Sequence, residues 1–101
     1  MVKVIESVNE IPKQGVAVID FYANWCGPCK RIAPTFEKLA DEFKQVTFLK
    51  VNVDESPDLT EMFDVNAMPT FLFFVDGKVV QTVEGADLNK IIAILENLSR
   101  R

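Results

Sequence analysis

The 101-residue sequence has no histidine and only two cysteines, Cys26 and Cys29. Histidine nitrogens and cysteine sulfurs are the usual ligands of a tetrahedral zinc site. Such a site cannot be completed from one copy of this chain without carboxylates, so we expect no resident metal. A dimer that shares two cysteines from each copy is the alternative route to a metal site.

Long apolar runs and an excess of basic residues are also missing. No stretch approaches the ~18 apolar residues of a membrane span, and residues 1–6 lack the uninterrupted apolar core of a secretory signal. The 15 acidic and 11 basic residues give a net charge of −4 and no basic stripe. We therefore expect no membrane or nucleic-acid partner and a cytoplasmic protein. In that compartment a close cysteine pair is more often catalytic or metal-binding than structural.

The length and the hydrophobic content of 49% fit one domain, residues 1–101, with a core that needs no structural disulfide. Short apolar runs alternate with helical patterns, which predicts an α/β fold with strands at residues 2–5, 16–22, 46–53, 71–75 and 78–83. Asp76-Gly77 is typical of an antiparallel hairpin, so the predicted sheet is mixed. Helices are predicted at residues 28–43, at 57–63 behind the N-cap Ser56, and after the N-cap Asp87, with a brief helix after Ser7.

The two cysteines lie where the apolar run 16–22 gives way to a helical pattern, in the segment Trp25-Cys26-Gly27-Pro28-Cys29-Lys30. Side chains at positions i and i+3 of a helix have Cβ atoms about 5–6 Å apart, whereas a relaxed disulfide needs roughly 3.5–4.5 Å. The bond can close only with local tightening, so we expect a disulfide that is easily reduced. The alternative is a pair of core cysteines without a redox role.

The helix start orders the roles of the two thiols. If Cys26 occupies the N-cap region, unpaired backbone N–H groups and the positive end of the helix dipole favour its thiolate, and Lys30 and Arg31 add to this bias. Gly27 and Pro28 allow a close approach of the backbone. We predict that Cys26 attacks a substrate disulfide and that Cys29 then attacks Cys26, which releases the reduced substrate.

Asp20 interrupts an otherwise apolar strand six residues before Cys26. Burial would raise the pKa of this carboxyl group, and a group that exchanges protons near neutral pH can act as a base for a neighbouring thiol. Lys50, in the next predicted strand, is its candidate partner. The alternative places Asp20 at a solvated strand end and lets the Lys50 ammonium group reach solvent.

The run from Asp20 to Lys30, followed by Ile32-Ala33-Pro34, resembles the thioredoxin family, and the resemblance covers the whole chain. The family's buried lysine, cis-proline loop and substrate-groove glycine correspond to Lys50-Val51-Asn52-Val53-Asp54, Met68-Pro69-Thr70 and Gly85-Ala86. Tyr22 departs from the pattern, because many members have tryptophan there. Gly-Pro between the cysteines resembles the reducing branch of the family.

The resemblance implies a thioredoxin fold, with a central mixed sheet of five strands flanked by four helices and with the Cys26 thiol exposed at the carboxyl end of a strand. It implies a cis peptide bond between Met68 and Pro69. It also implies a client segment that lies extended across the substrate-binding residues Trp25, Gly27, Pro28, Met68, Pro69 and Gly85.

The function implied by the resemblance is a general protein-disulfide reductase and electron carrier with no cofactor beyond the Cys26–Cys29 disulfide. The implied partners are a thioredoxin reductase and disulfide-containing clients such as peroxiredoxins, ribonucleotide reductase or methionine sulfoxide reductase. The implied state is a monomer. The alternative from another class is a binding or chaperone module on the same fold, with little turnover.

Overall fold

The computed structural model describes residues 1–100, which form five strands, three α-helices and one short 3-10 helix. The strands are β1 Val2–Val4, β2 Val16–Tyr22, β3 Val46–Asn52, β4 Thr70–Val75 and β5 Lys78–Glu84. The α-helices are α1 Gly27–Glu42, α2 Pro57–Met62 and α3 Leu88–Leu98. Within residues 1–100, no helix is both long enough and apolar enough to cross a membrane.

The strands form one mixed sheet in the order β1-β3-β2-β4-β5. Strands β1, β3 and β2 run parallel, whereas β4 is antiparallel to β2 and β5 is antiparallel to β4. The β4–β5 turn has positive φ angles at Asp76 (52°) and Gly77 (84°), the conformation that a two-residue hairpin turn of this kind requires. The predicted hairpin, the mixed sheet and the central position of β2 are confirmed.

The resemblance predicted four helices, and the count of α-helices is one too high. The segment after Ser7 forms only a single 3-10 turn, Val8–Glu10, closed by the expected capping box of Ser7 and Glu10. Its C-cap residue, Ile11, has an extended backbone (φ −78°, ψ 126°). A residue before proline avoids the helical region, so Pro12 ends the helix after one turn.

The core lies on both faces of the sheet, because successive residues of a strand point to opposite sides. One cluster joins the sheet to α1 and α3. In it, the centre of the Phe36 ring lies 5.1 Å from the centre of the Phe48 ring and 5.6 Å from that of the Phe71 ring. The second cluster joins the other face to α2 and includes Phe21 and Leu59. Residues of β2 are buried on both faces, as the continuous apolar run predicted.

The start of α3 yields a stability prediction. Asp87 caps this helix, since its carboxylate accepts a hydrogen bond from the Lys90 N–H at 3.2 Å. Asp87→Ala removes the acceptor and should lower the free energy of unfolding by about 1 kcal/mol, as measured by urea denaturation. Ser56→Ala is the matched control, because Ser56 caps α2 without a side-chain hydrogen bond to that helix. An equal loss in both variants would contradict the capping role of the Asp87 carboxylate.

Candidate active site

The two cysteines lie at the junction between β2 and α1, at the carboxyl end of the central strand. Cys26 is the N-cap of α1, with an extended backbone (φ −91°, ψ 112°), and Cys29 lies in the first turn of that helix. Pro28 suits this turn because a proline N–H is not needed there. The condition set for the sequence-based roles of the two thiols, that Cys26 occupies the N-cap, is therefore met.

Cys26 and Cys29 are joined by a disulfide, with their Cα atoms 5.3 Å apart. The Cys29 N–H donates a hydrogen bond to Cys26 Sγ at 3.2 Å. When the disulfide is reduced, a backbone N–H and the helix dipole directed at this sulfur favour its thiolate form. The pair is therefore arranged for reversible dithiol–disulfide exchange, and the polarising groups are directed at the Cys26 sulfur.

The expected exposure of Cys26 is wrong for the disulfide form. Cys26 is 5% exposed and Cys29 4% exposed. The two cysteines pack with Ala23, and Met68 lies against the same small cluster. The disulfide is thus covered by its own loop and by the loop that carries Met68, a contact between distant segments that spacing in the sequence does not reveal.

The expected substrate-binding residues converge around this disulfide. The Met68-Pro69 peptide bond is cis, as the resemblance implied. The Gly85 N–H donates a 2.8 Å hydrogen bond to the Pro69 carbonyl, which ties the loop before β4 to the residue after β5. Gly85 has a φ of +91°, a conformation that favours glycine. Gly27 and Pro28 lie between the two cysteines, in the first turn of α1.

Trp25 is 67% exposed beside Cys26, and its indole N–H donates a hydrogen bond to Asp54 Oδ2 at 3.0 Å. The sequence predicted Trp25 as part of the site but gave no role to Asp54, which lies 29 residues further along the chain. The contact depends on the turn after β3, where the Asn52 side chain accepts a hydrogen bond from the Asp54 N–H. No local pattern would have identified this pair.

Asp20 is 1% exposed, so its predicted burial is confirmed. Among residues 1–100, its Oδ1 atom has no hydrogen-bond donor. Burial raises the pKa of Asp20 to about 7, against the opposing attraction of the Lys50 charge. The carboxyl group therefore changes its protonation state near neutral pH, as a proton acceptor for a thiol requires.

Lys50 lies directly opposite Asp20 in the β2–β3 register, and its charge acts on the Asp20 carboxyl group. The two side chains do not form an ion pair in the described part of the chain. The Lys50 ammonium group instead lies 4.5 Å from the centre of the Tyr22 ring, a cation–π contact. The sequence marked Tyr22 only as a departure from the family pattern and did not indicate this contact with Lys50 on the adjacent strand.

A cavity of about 160 Å³ connects these groups. Its lining includes Asp20, Cys29, Lys50 and Tyr22, together with Ala23, Asn24, Lys30 and Ala33. A space of this size accommodates water where polar groups such as the Asp20 carboxyl group form part of its wall. Asp20 and Cys29 thus line the same cavity. Within residues 1–100, no three His, Cys, Asp or Glu side chains cluster in a way that could hold a metal ion.

Comparison with known proteins gives a consistent result. The family model described as Thioredoxin matches residues 4–97. The thioredoxin of Malassezia sympodialis is 44% identical over 100 residues, which is 93% of this chain and 95% of that protein. Its crystal structure superposes on this protein with a TM-score of 0.89. The alignment covers 98% of this chain and 91% of the Malassezia chain.

Two further matches differ in kind. A Caenorhabditis briggsae peptide-N(4)-(N-acetyl-beta-glucosaminyl)asparagine amidase is 43% identical to this chain over 95 residues. The alignment covers 90% of this chain but only 16% of that protein. A solved structure concerning the thiol resolving mechanism of yeast mitochondrial 1-Cys peroxiredoxin through the glutathione and thioredoxin systems contains a chain 36% identical to this one. The TM-score is 0.91, with 96% of this chain and 95% of that one covered.

The buried carboxyl group gives a pH-dependent stability prediction. The pKa of Asp20 is about 7 in the folded protein and about 4 when unfolded, so folding opposes ionisation of this group. The resulting loss of stability is absent below pH 4, grows as the pH rises to 7 and is constant above it. The full pKa shift corresponds to a loss of roughly 4 kcal/mol in the free energy of unfolding. An asparagine side chain at this position avoids the cost of burying a charge but still bears the cost of burying an unpaired amide, so only part of the loss is recovered. Asp20→Asn should therefore be about 2 kcal/mol more stable than the wild type at pH 8.

Denaturant unfolding of both proteins between pH 4 and pH 8 measures this difference. Glu37→Gln, a change of an exposed carboxylate on α1, is the control and should show no such trend. A wild type as stable as Asp20→Asn across the whole range would contradict a raised pKa at Asp20.

Proposed function

The chain belongs to the thioredoxin family, and we propose that it is a general protein-disulfide reductase that carries electrons through Cys26 and Cys29. One observation carries the proposal: the two cysteines close a disulfide at the start of α1 with a backbone N–H directed at Cys26 Sγ. A sulfur held in this way is an effective nucleophile when reduced and an effective leaving group when attacked.

The proposed reaction begins with the reduced protein. The Cys26 thiolate attacks one sulfur of a client disulfide, so that a bond forms between Cys26 and the client while the client's other sulfur leaves as a thiolate and takes a proton from solvent. Cys29 then loses its proton and attacks Cys26 Sγ. This step closes the Cys26–Cys29 disulfide and releases the second client thiol. The client gains two electrons, and this protein loses two.

Asp20 is proposed as the base of the second step. Its position beside Cys29 on the shared cavity and its pKa of about 7 support transfer of the Cys29 proton to its carboxylate. Lys50 is proposed to act on Asp20 through its charge, from its position over the Tyr22 ring. A positive charge held nearby stabilises the ionised carboxylate, which is the form that accepts a proton.

Client binding is proposed at the substrate-binding residues Trp25, Gly27, Pro28, Met68, Pro69 and Gly85. Met68 lies against the disulfide in a loop outside the regular strands, and its backbone can pair with an extended client segment as an added strand would. The exposed indole of Trp25 offers a flat apolar surface at the other side of Cys26.

The proposed partners are disulfide-containing clients, among them peroxiredoxins, ribonucleotide reductase and methionine sulfoxide reductase, and a thioredoxin reductase that returns two electrons to the disulfide. The neighbour from the peroxiredoxin structure supports the first of these client classes. We also propose that the protein acts as a monomer. Its proposed compartment is the cytoplasm, because a reductase of this kind requires surroundings that keep thiols reduced.

The roles of the cysteines can be separated by two variants. Cys26→Ser should lose all catalysis of insulin reduction by dithiothreitol, because the nucleophile is missing. Cys29→Ser should react once with a client and then remain in a mixed disulfide, because no second thiol resolves it. Insulin turbidity measures the first result, and mass spectrometry of the adduct measures the second.

Covalent adducts on Cys26→Ser and none on Cys29→Ser would reverse the assigned roles. Insulin reduction no faster with the wild-type protein than with dithiothreitol alone would instead favour a binding or chaperone module on this fold.

The role of Asp20 can be tested through the rate of the resolving step. Asp20→Asn keeps the side-chain shape but removes the base, so resolution of a preformed mixed disulfide should slow by up to 10²–10⁴-fold at pH 7. The rate should recover at higher pH, where hydroxide removes the Cys29 proton. Rapid-quench measurement of client release between pH 6 and pH 9 gives this profile. Parallel profiles for the wild type and Asp20→Asn would exclude Asp20 as the base.

A further inference from the structure

An open groove of about 290 Å³ lies between the first turns of α1 and the beginning of α3. We call it the Arg31 groove, and its lining residues are Pro28, Arg31, Ile32, Thr35, Ala86 and Leu88. Pro28 is the residue before Cys29, so the groove begins beside the disulfide. Most of its wall is apolar, and Arg31 is its one charged lining residue.

Arg31 lies at the disulfide end of this groove. Its guanidinium Nη1 lies 3.3 Å from the position that a Cβ atom on Gly27 would occupy. The guanidinium group thus packs over Gly27, the residue between Cys26 and Pro28, where residues i and i+4 of a helix meet. The absence of a side chain at Gly27 leaves the space that Arg31 uses.

The charge on Arg31 has no counterpart of its own. Within the described part of the chain, Arg31 forms no ion pair, although the protein as a whole is acidic with a net charge of −4. Two acidic side chains described above accept hydrogen bonds from other groups. Asp87, which lies between Ala86 and Leu88 in the chain, accepts a hydrogen bond from the Lys90 N–H, and Asp54 accepts one from Trp25.

We propose that the Arg31 groove binds the client segment next to the target disulfide and selects clients with an acidic side chain there. The inference rests on the proposed reductase function. The occupant is a client chain whose carboxylate pairs with the guanidinium fork of Arg31 while a neighbouring apolar side chain covers Ile32 and Leu88. Arg31 is a specificity-determining residue in this arrangement, because it contacts the client but no reacting atom.

Three synthetic peptides test the selectivity. Each has one intramolecular disulfide, and they differ only in the residues flanking it, which are Glu, Gln or Lys. The measurement is the second-order rate constant for reduction by the reduced protein, divided by that for reduction by dithiothreitol to remove intrinsic differences between the peptides. The wild type should reduce the Glu peptide roughly two- to fivefold faster than the Gln peptide, as expected for an exposed ion pair, and the Lys peptide more slowly.

Arg31→Gln should remove the difference between the Glu and Gln peptides, and Arg31→Glu should favour the Lys peptide. Salt at 0.5 M should weaken the wild-type preference, because the Debye length is then well below 10 Å. Lys13→Gln is the matched control for net charge. Lys13 lies beside Gly77 in the β4–β5 turn, at the end of the sheet away from the disulfide, and its loss should leave the preference intact.

The proposal is overturned if Arg31→Gln retains the wild-type preference, or if Lys13→Gln reduces that preference as much. The Gln peptide separates this failure from failure of the proposed function. Equal reduction of all three peptides by the wild type would refute the Arg31 groove and leave the reductase function standing. Reduction of none of them would refute both.

Discussion

Strand β2 is buried on both faces and leads, after a four-residue loop, into the first turn of α1, so the core of the protein fixes the position of both sulfurs. Burial of this strand holds the loop, the loop places Cys26 at the helix N-cap, and the helix presents the Cys29 N–H to Cys26 Sγ. The chemistry of the site thus depends on hydrophobic packing that has no redox role. The backbone N–H and the helix dipole then act on a sulfur whose position the core has already set.

The same strand contains the least favourable residue for a core, Asp20. Its carboxyl group lies on the face of β2 that is covered by α1, with one oxygen lacking a donor among residues 1–100. The β3 neighbour that could neutralise it, Lys50, lies instead over the Tyr22 ring. The carboxyl group is left in an environment that makes its two protonation states similar in free energy near pH 7. Stability is thus lost at the position of the residue that we propose as the proton acceptor.

Much of the fold could be predicted because the informative patterns are local. The apolar runs of β2 and β3, the Asp76-Gly77 turn and the Asp87 cap each depend on a few neighbouring residues. Contacts between distant segments could not be read in this way. Burial of Cys26 depends on Met68, the Trp25 contact depends on Asp54, and the Lys50 contact depends on Tyr22 in the adjacent strand. The cis Met68-Pro69 bond followed only from the family resemblance, since the trans form is the default for an isolated X-Pro sequence.

Trp25 is the only tryptophan in the sequence, and it is adjacent to Cys26. Its indole is exposed on one side and hydrogen-bonded to Asp54 on the other. Tryptophan emission responds to nearby sulfur chemistry and to solvent, and no second indole contributes a background signal. The protein therefore contains an intrinsic fluorophore whose intensity reports on the active site alone. Opening and closing of the disulfide can be followed in real time without a label.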